Sequence, residues 1–225
     1  DITVLSFSDS SMVDRNSSII KVDSGWIVYS KNSESSILSF TSDGQFSGYI
    51  GHRGNGPGEY TSVYDVVVNQ KSKVLEVLSD GGIFCYTFGG DFLDKKEVTY
   101  PAFSFAIDDR QNYWFYVGNN TTYGDAKMIC TDENIANVAY YLHQKSNMLP
   151  MVENNFGRNG EWLTFHESLN HDLYTIENGK LDLSYAMDFP NYKLPKKLHE
   201  LSGMEVIAVS YTHLRGHETR GNLVC

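Results

Sequence analysis

Four turn signals recur along this chain at nearly constant intervals, and that spacing narrows the folds open to it. Ser42-Asp43-Gly44, Phe88-Gly89-Gly90, Asp132-Glu133-Asn134 and Glu177-Asn178-Gly179 each follow a run of aromatic or aliphatic residues. The anchors Gly44, Gly90, Asn134 and Gly179 stand 46, 44 and 45 residues apart. Gly and Asn tolerate a left-handed turn position, so Asn134 reads as the chemical equivalent of the three glycines. The same order of four short strands can be written around each anchor. They are 18–23, 25–30, 36–41 and 45–50; 63–69, 73–79, 82–88 and 92–99; 102–108, 113–118, 126–131 and 137–143; then 155–159, 162–166, 172–177 and 181–189. Four antiparallel strands per unit of about 45 residues make a β-propeller blade, whereas a sandwich predicts no such equal spacing. The expected fold class is therefore all-β, with blades at approximately 18–50, 63–99, 102–143 and 155–189. A lone strand at 2–7 precedes them and would complete the last blade of a closed ring.

Composition agrees with strands. The chain has 15 Tyr and 12 Phe but only five Pro, and aromatic and β-branched residues suit a pleated, half-buried surface. A formal net charge of −10 argues against nucleic acid or an anionic membrane surface as partner. No apolar run approaches the roughly 20 residues of a membrane span. The first residue is Asp1 rather than Met, which reads as trimming, although no signal peptide is visible. Cys85, Cys130 and Cys225 form no framework of pairs. Counted from the anchors, Cys85 and Cys130 have opposite strand parity, so they are expected as buried free thiols facing opposite ways.

The stretch Gly51-His52-Arg53-Gly54-Asn55-Gly56-Pro57-Gly58-Glu59-Tyr60 links the first unit to the second. Its glycines suggest positive-φ positions and, on one reading, a phosphate cradle. No helix follows it and no Gly-Lys-Ser/Thr ending is present, so a structural crossover between blades is the better reading. Arg53 and Glu59 either brace this loop or line a ligand rim beside Tyr60.

This glycine loop with the strand to Val68, together with Asp172-Leu173-Tyr174-Thr175-Ile176-Glu177-Asn178-Gly179-Lys180-Leu181, Tyr185–Phe189 and Leu194-Pro195, resembles the six-bladed β-propeller family of exported Bacteroidetes proteins, related in pattern to NHL-repeat propellers. His52, Asn55 and Pro190 depart from that pattern. The resemblance covers about residues 12–200. It implies a cell-envelope protein, often a lipoprotein anchored by lipid upstream of residue 1, periplasmic or associated with the outer membrane, and with no general reaction. It also implies that about four blades of a native six are present in 1–205. Beyond residue 204 the strand pattern stops, and 206–225 resembles a translated sequencing-adaptor read. It is therefore expected to be a non-native tail whose His213, His217 and Cys225 form no metal site.

Propeller enzymes draw carboxylates from loops at one end of the central channel. Asp14, Asp65 and Glu161, expected near the starts of inner strands, are the candidates here, each equally readable as a turn cap or a solvent-facing charge. His166-Glu167 and His171-Asp172 span a hairpin turn, where polar residues are expected without a metal. Trp26, Trp114 and Trp162 fall on the second strands of three units and are expected to pack between blades rather than offer a sugar platform. No Gly-x-Ser-x-Gly nucleophile motif occurs. The expected function is a non-catalytic binding or scaffold module without a cofactor, holding a glycan, peptide or protein. Its channel and loop contacts would come from Arg53, Glu59, Tyr60, Asp14, Asp65 and Glu161. The alternative is a lactonase-like hydrolase that uses Ca²⁺ or Zn²⁺ at the channel.

Overall fold

The computed structural model describes residues 3–7, 17–31, 36–118, 124–143, 154–167 and 172–186. Among them, four antiparallel four-stranded sheets follow one another as the blades of a propeller, and no helix occurs. Blade 1 is built from β1 (Ser18–Val22), β2 (Gly25–Tyr29), β3 (Ile37–Thr41) and β4 (Phe46–Ile50). Within the glycine loop, β5 (His52–Arg53) and β6 (Glu59–Tyr60) form a small parallel pair that the sequence pattern does not reveal. Blade 2 comprises β7 (Asp65–Asn69), β8 (Val74–Ser79), β9 (Gly82–Tyr86) and β10 (Phe92–Lys96). Blade 3 comprises β11 (Ser104–Ile107), β12 (Tyr113–Tyr116), β13 (Ala126–Thr131) and β14 (Ala139–His143). Blade 4 comprises β15 (Phe156–Asn159), β16 (Trp162–His166), β17 (Asp172–Glu177) and β18 (Lys180–Ala186). All sixteen blade strands fall where the repeat places them, mostly one to three residues shorter at their ends.

The middle strands read as nearly unbroken apolar runs because both of their faces are covered by neighbouring blades. One face of blade 1, with Ile27 and Ile37, packs on Val66 and Val77 of blade 2. The other face of blade 2, with Leu78 and Ile83, meets Phe105, Tyr113 and Phe115 of blade 3. Those three rings are near-parallel, with centroids 6.0 to 6.4 Å apart. Trp114 and Met128 of blade 3 meet Leu163, Phe165 and Ile176 of blade 4.

The turn anchors carry one correction. Gly44 (φ +89°) and Gly90 (φ +99°) hold the left-handed position of matching turns. Each donates its N–H to the carbonyl three residues back, Thr41 and Thr87. In blade 3 the residue in that place is Ile135 (φ +58°), which donates to Asp132, and not Asn134. A β-branched residue pays roughly 1–2 kcal/mol to stand there. Asp132 offsets this by accepting the N–H groups of Asn134 and Ala136 at 3.0 and 2.9 Å. These hydrogen bonds hold the Asp132 carboxyl below its usual range. Blade 4 instead turns on the two-residue Asn178-Gly179 loop, both left-handed, between paired Glu177 and Lys180.

The misplaced third anchor also misplaced the cysteines. Counted from Ile135, Cys130 has the same parity as Cys85, and both point toward the following blade, in two different seams. Both are free and buried, as expected. Burial pushes both thiols up to about 12, which leaves them poor nucleophiles.

The N-terminal segment lies against blade 1. Ser6 N donates to Gly44 O at 2.8 Å, and Phe7 meets Phe40 edge-on. A Cβ on Gly44 would sit 2.1 Å from Val4 O, and one on Gly90 would sit 2.6 Å from Tyr49 O. Val4 therefore stands to blade 1 as Tyr49, in the outer strand of blade 1, stands to blade 2. Gly44→Ala should cost about 1–3 kcal/mol and free residues 3–7 from blade 1. Denaturant unfolding and limited proteolysis of the variant check this; wild-type stability with an uncut N-terminus would contradict it.

Candidate functional site

The first strands of the blades, β1, β7, β11 and β15, surround a cavity of about 490 Å³. Tyr29, Lys31 and Asp65 mark one end of this channel, because β2 ends and β7 begins there. Gln70 and Arg158 lie toward the other end and also border a second cavity of about 750 Å³ beside blade 4. Asp109, Glu161, Trp162 and Glu177 complete the wall of that mouth.

Asp65 is buried where three blades meet. Lys31 Nζ of blade 1 lies 2.8 Å from its Oδ1, and Phe105 N of blade 3 donates to its Oδ2 at 3.1 Å. Val66 N adds a third bond, at 3.0 Å. Burial pushes the Asp65 carboxyl up, while the Lys31 charge and the two backbone donors oppose that shift. Tyr29 Oη reaches Val66 O at 3.4 Å. Burial first, then the Asp65 charge, push its hydroxyl well above the usual tyrosine range, so it stays a proton donor.

The same combination of residue types recurs in the other two seams. Between blades 2 and 3, the Glu76 carboxylate accepts from Tyr113 Oη at 2.8 Å and from Asn69 Nδ2 at 3.1 Å. Lys96 bonds the Tyr113 hydroxyl and lies 3.7 Å from Glu76. Between blades 3 and 4, Glu167 accepts from Tyr116 Oη at 2.7 Å and from Lys127 Nζ at 2.9 Å on both oxygens. Each seam thus buries one carboxylate with one tyrosine and one lysine. Glu76 and Lys127 stand as single charges within the apolar runs Val74–Ser79 and Ala126–Thr131, the mark in the sequence of a buried charge that needs a partner.

The expected site residues are dispersed. Asp14 and His171 lie outside the described residues. Arg53 is exposed and donates from Nε to Thr61 O at 3.0 Å. Glu59 Oε2 accepts Gly56 N at 2.8 Å, and a Cβ on Gly54 would fall 1.9 Å from that same oxygen. Tyr60 is buried, with its hydroxyl donating to Ile50 O at 3.3 Å and accepting Ile37 N at 3.4 Å. The loop is thus knitted to itself and to both adjoining blades, as a crossover requires. Glu161 stands in the β15–β16 turn, not at the start of an inner strand, and so at the channel end opposite Asp65. A five-residue strand separates those ends by about 16 Å, so the two carboxylates do not converge on one ion. Among the described residues, no three His, Cys, Asp or Glu side chains are grouped as metal ligands. Of the tryptophans, Trp114 is fully buried between blades and Trp26 is half-buried, but Trp162 is 65% exposed and does not pack as expected.

A family described as a domain of unknown function, DUF4934, matches residues 5–209. The chain belongs to the DUF4934 family. No curated protein sequence matches it. Among solved structures, a Bacteroides fragilis protein named as an inferred exported protein superposes with a TM-score of 0.73 at 15% identity, over 84% of this chain and 55% of that one. A DUF4221 protein of Bacteroides vulgatus gives 0.57 at 10% identity, over 92% and 67%. A streptogramin B lyase gives 0.52 at 15% identity, over 81% and 58%. This DUF4934 chain therefore shares the propeller fold with them and spans little more than half the length of the first.

The seam at Asp65 yields a test. Lys31→Met and Asp65→Asn should each destabilise the chain by about 3–5 kcal/mol, since each removes one member of a buried pair. The double variant should lose far less than the sum. A double-mutant cycle by denaturant unfolding measures this; small, additive losses would contradict it.

Proposed function

We propose that this chain is a non-catalytic binding or scaffold module of the bacterial cell envelope, with a glycan, peptide or protein as ligand at the propeller channel and its mouth. The observation that carries this reading is the pairing of the channel's charges. Asp65 is held by Lys31 and two backbone N–H groups, so the channel wall presents a set shape and already partnered polar groups. A binding surface needs such preorganised walls, whereas a general base needs reach to a substrate proton. Export, a lipid anchor and a six-bladed ring belong to this proposal on the strength of the sequence resemblance. In such a ring the segment at 3–7 would serve as the outer strand of the blade preceding blade 1, which fits the place of Val4 against Gly44.

A thermal-shift screen of envelope glycans, peptides and proteins tests the reading. A ligand at about 100 times its Kd adds about 2.7 kcal/mol and should raise Tm by roughly 5–10 °C for a domain of this size. Mass spectrometry should recover that ligand unchanged. Hydrolysis of a lactone to its hydroxy acid, dependent on added Ca²⁺ or Zn²⁺, would contradict the non-catalytic reading in favour of the hydrolase.

A further inference from the structure

We propose that a cleft between blades 2 and 3 docks a lysine or arginine side chain of a partner protein. The cleft lies outside the channel, so the inference goes beyond the channel reading and does not depend on it. Further blades of a ring would join before blade 1 and after blade 4, whereas the two walls of this cleft are neighbours already in contact. Between them lies a cavity of about 380 Å³, at the end of the seam where β7, β11 and β13 run into turns. Its floor is the buried cluster of that seam. Lys96 Nζ sits 4.7 Å from the centre of the Tyr113 ring, bonds the Tyr113 hydroxyl and lies 3.7 Å from Glu76. The ammonium that lines the cleft is thus already engaged.

The rim carries an exposed carboxylate from each blade, Asp94 on β10 and Glu133 in the β13–β14 turn. Asp94 stands opposite Cys85, whose side chain faces blade 3, so its own side chain turns the same way. Its Oδ1 accepts Lys95 N at 2.8 Å, and Oδ2 remains for a ligand. Beside it Leu93, which the shifted β9–β10 register skips, is 51% exposed at the same rim. A bulge of this kind re-aims a side chain. The blade 3 wall is preorganised by two turns of one construction. In 108–112 and 132–136 the leading Asp accepts the N–H groups two and four residues on, and Gln111 or Ile135 between them is left-handed. A basic side chain fits this rim, with its aliphatic stem on Leu93 and its charge between the two carboxylates. The chain's net charge of −10 favours such a partner and repels acidic ones.

The test is fluorescence anisotropy of labelled Gly-Ser peptides bearing Lys, Arg, Met or Glu, titrated with the full chain, with spermidine as a free-amine competitor. The Lys or Arg peptide should bind, more weakly as salt rises, and the Met and Glu peptides should not. D94N together with E133Q should weaken that binding about five- to tenfold. D43N together with D182N removes the same charge from exposed positions in blades 1 and 4, and should weaken it less than about twofold. L93A should weaken it as well, although both rim carboxylates are intact. Each of these side chains is exposed, so the variants should keep the wild-type Tm. Failure of both basic peptides to bind, or equal losses in the two double variants, would overturn the proposal. Binding of the Met or Glu peptide as tight as that of the basic ones would do the same. Displacement by spermidine at lower concentration than by unlabelled peptide would also overturn it, assigning the cleft to a free amine. None of these residues lines the channel, so the channel reading stands in every case.

Discussion

Each seam between neighbouring blades buries a carboxylate beside a lysine and a tyrosine, and the positions of the other elements depend on those contacts. Apolar burial supplies most of the drive to stack blades, but it is non-directional and would tolerate a blade sliding against its neighbour. A slip of one residue would strand Asp65, Glu76 or Glu167 away from its donors in a low-dielectric seam, at a cost of several kcal/mol. Burial raises the Tyr113 hydroxyl, with the Glu76 charge adding to the shift. It therefore remains a donor to that carboxylate across the physiological range. The clusters thus act as register pins between sheets that would otherwise match only in shape.

The pinned register places the channel. Asp65 takes one donor from blade 1 and one from blade 3, so β1, β7 and β11 are set side by side around the axis. Ser104 continues the series by bonding Asn155 Oδ1 at 2.8 Å at the head of β15. At that end the chain's polar groups answer one another. At the opposite end, where the inner strands run out into turns, Asp109, Glu161, Trp162 and Glu177 are left facing a cavity. One end of the channel holds blades together, and the other opens into a cavity.

Much of this was legible in the sequence, because propeller blades are local units. Spacing, strand alternation and turn chemistry located every blade strand, and the glycine loop read correctly as a crossover. What failed was whatever depended on a single exact residue. Taking Asn134 for the left-handed anchor in place of Ile135 shifted the count by one and sent Cys130 to the wrong face. A β-branched residue is the last expected at positive φ, and only the Asp132 hydrogen bonds make it tolerable. The seam partners were hidden because Lys31 and Asp65 lie 34 positions apart, and Lys127 and Glu167 lie 40 apart. Sequence spacing says nothing of which charges meet across blades. Trp162 shares with Trp114 the face turned to the following blade, and at the last described blade it stands exposed.

Hydrogen–deuterium exchange of the free protein tests the central claim most directly, namely that the seams are the rigid frame and the blade-4 mouth is the open end. Amides of Asp65–Asn69, Val74–Ser79, Ser104–Ile107 and Tyr113–Tyr116 should be the slowest to exchange, and the turns at 109–112 and 160–161 among the fastest. Fast exchange in those inner and second strands, or equal protection of seams and mouth, would contradict the account.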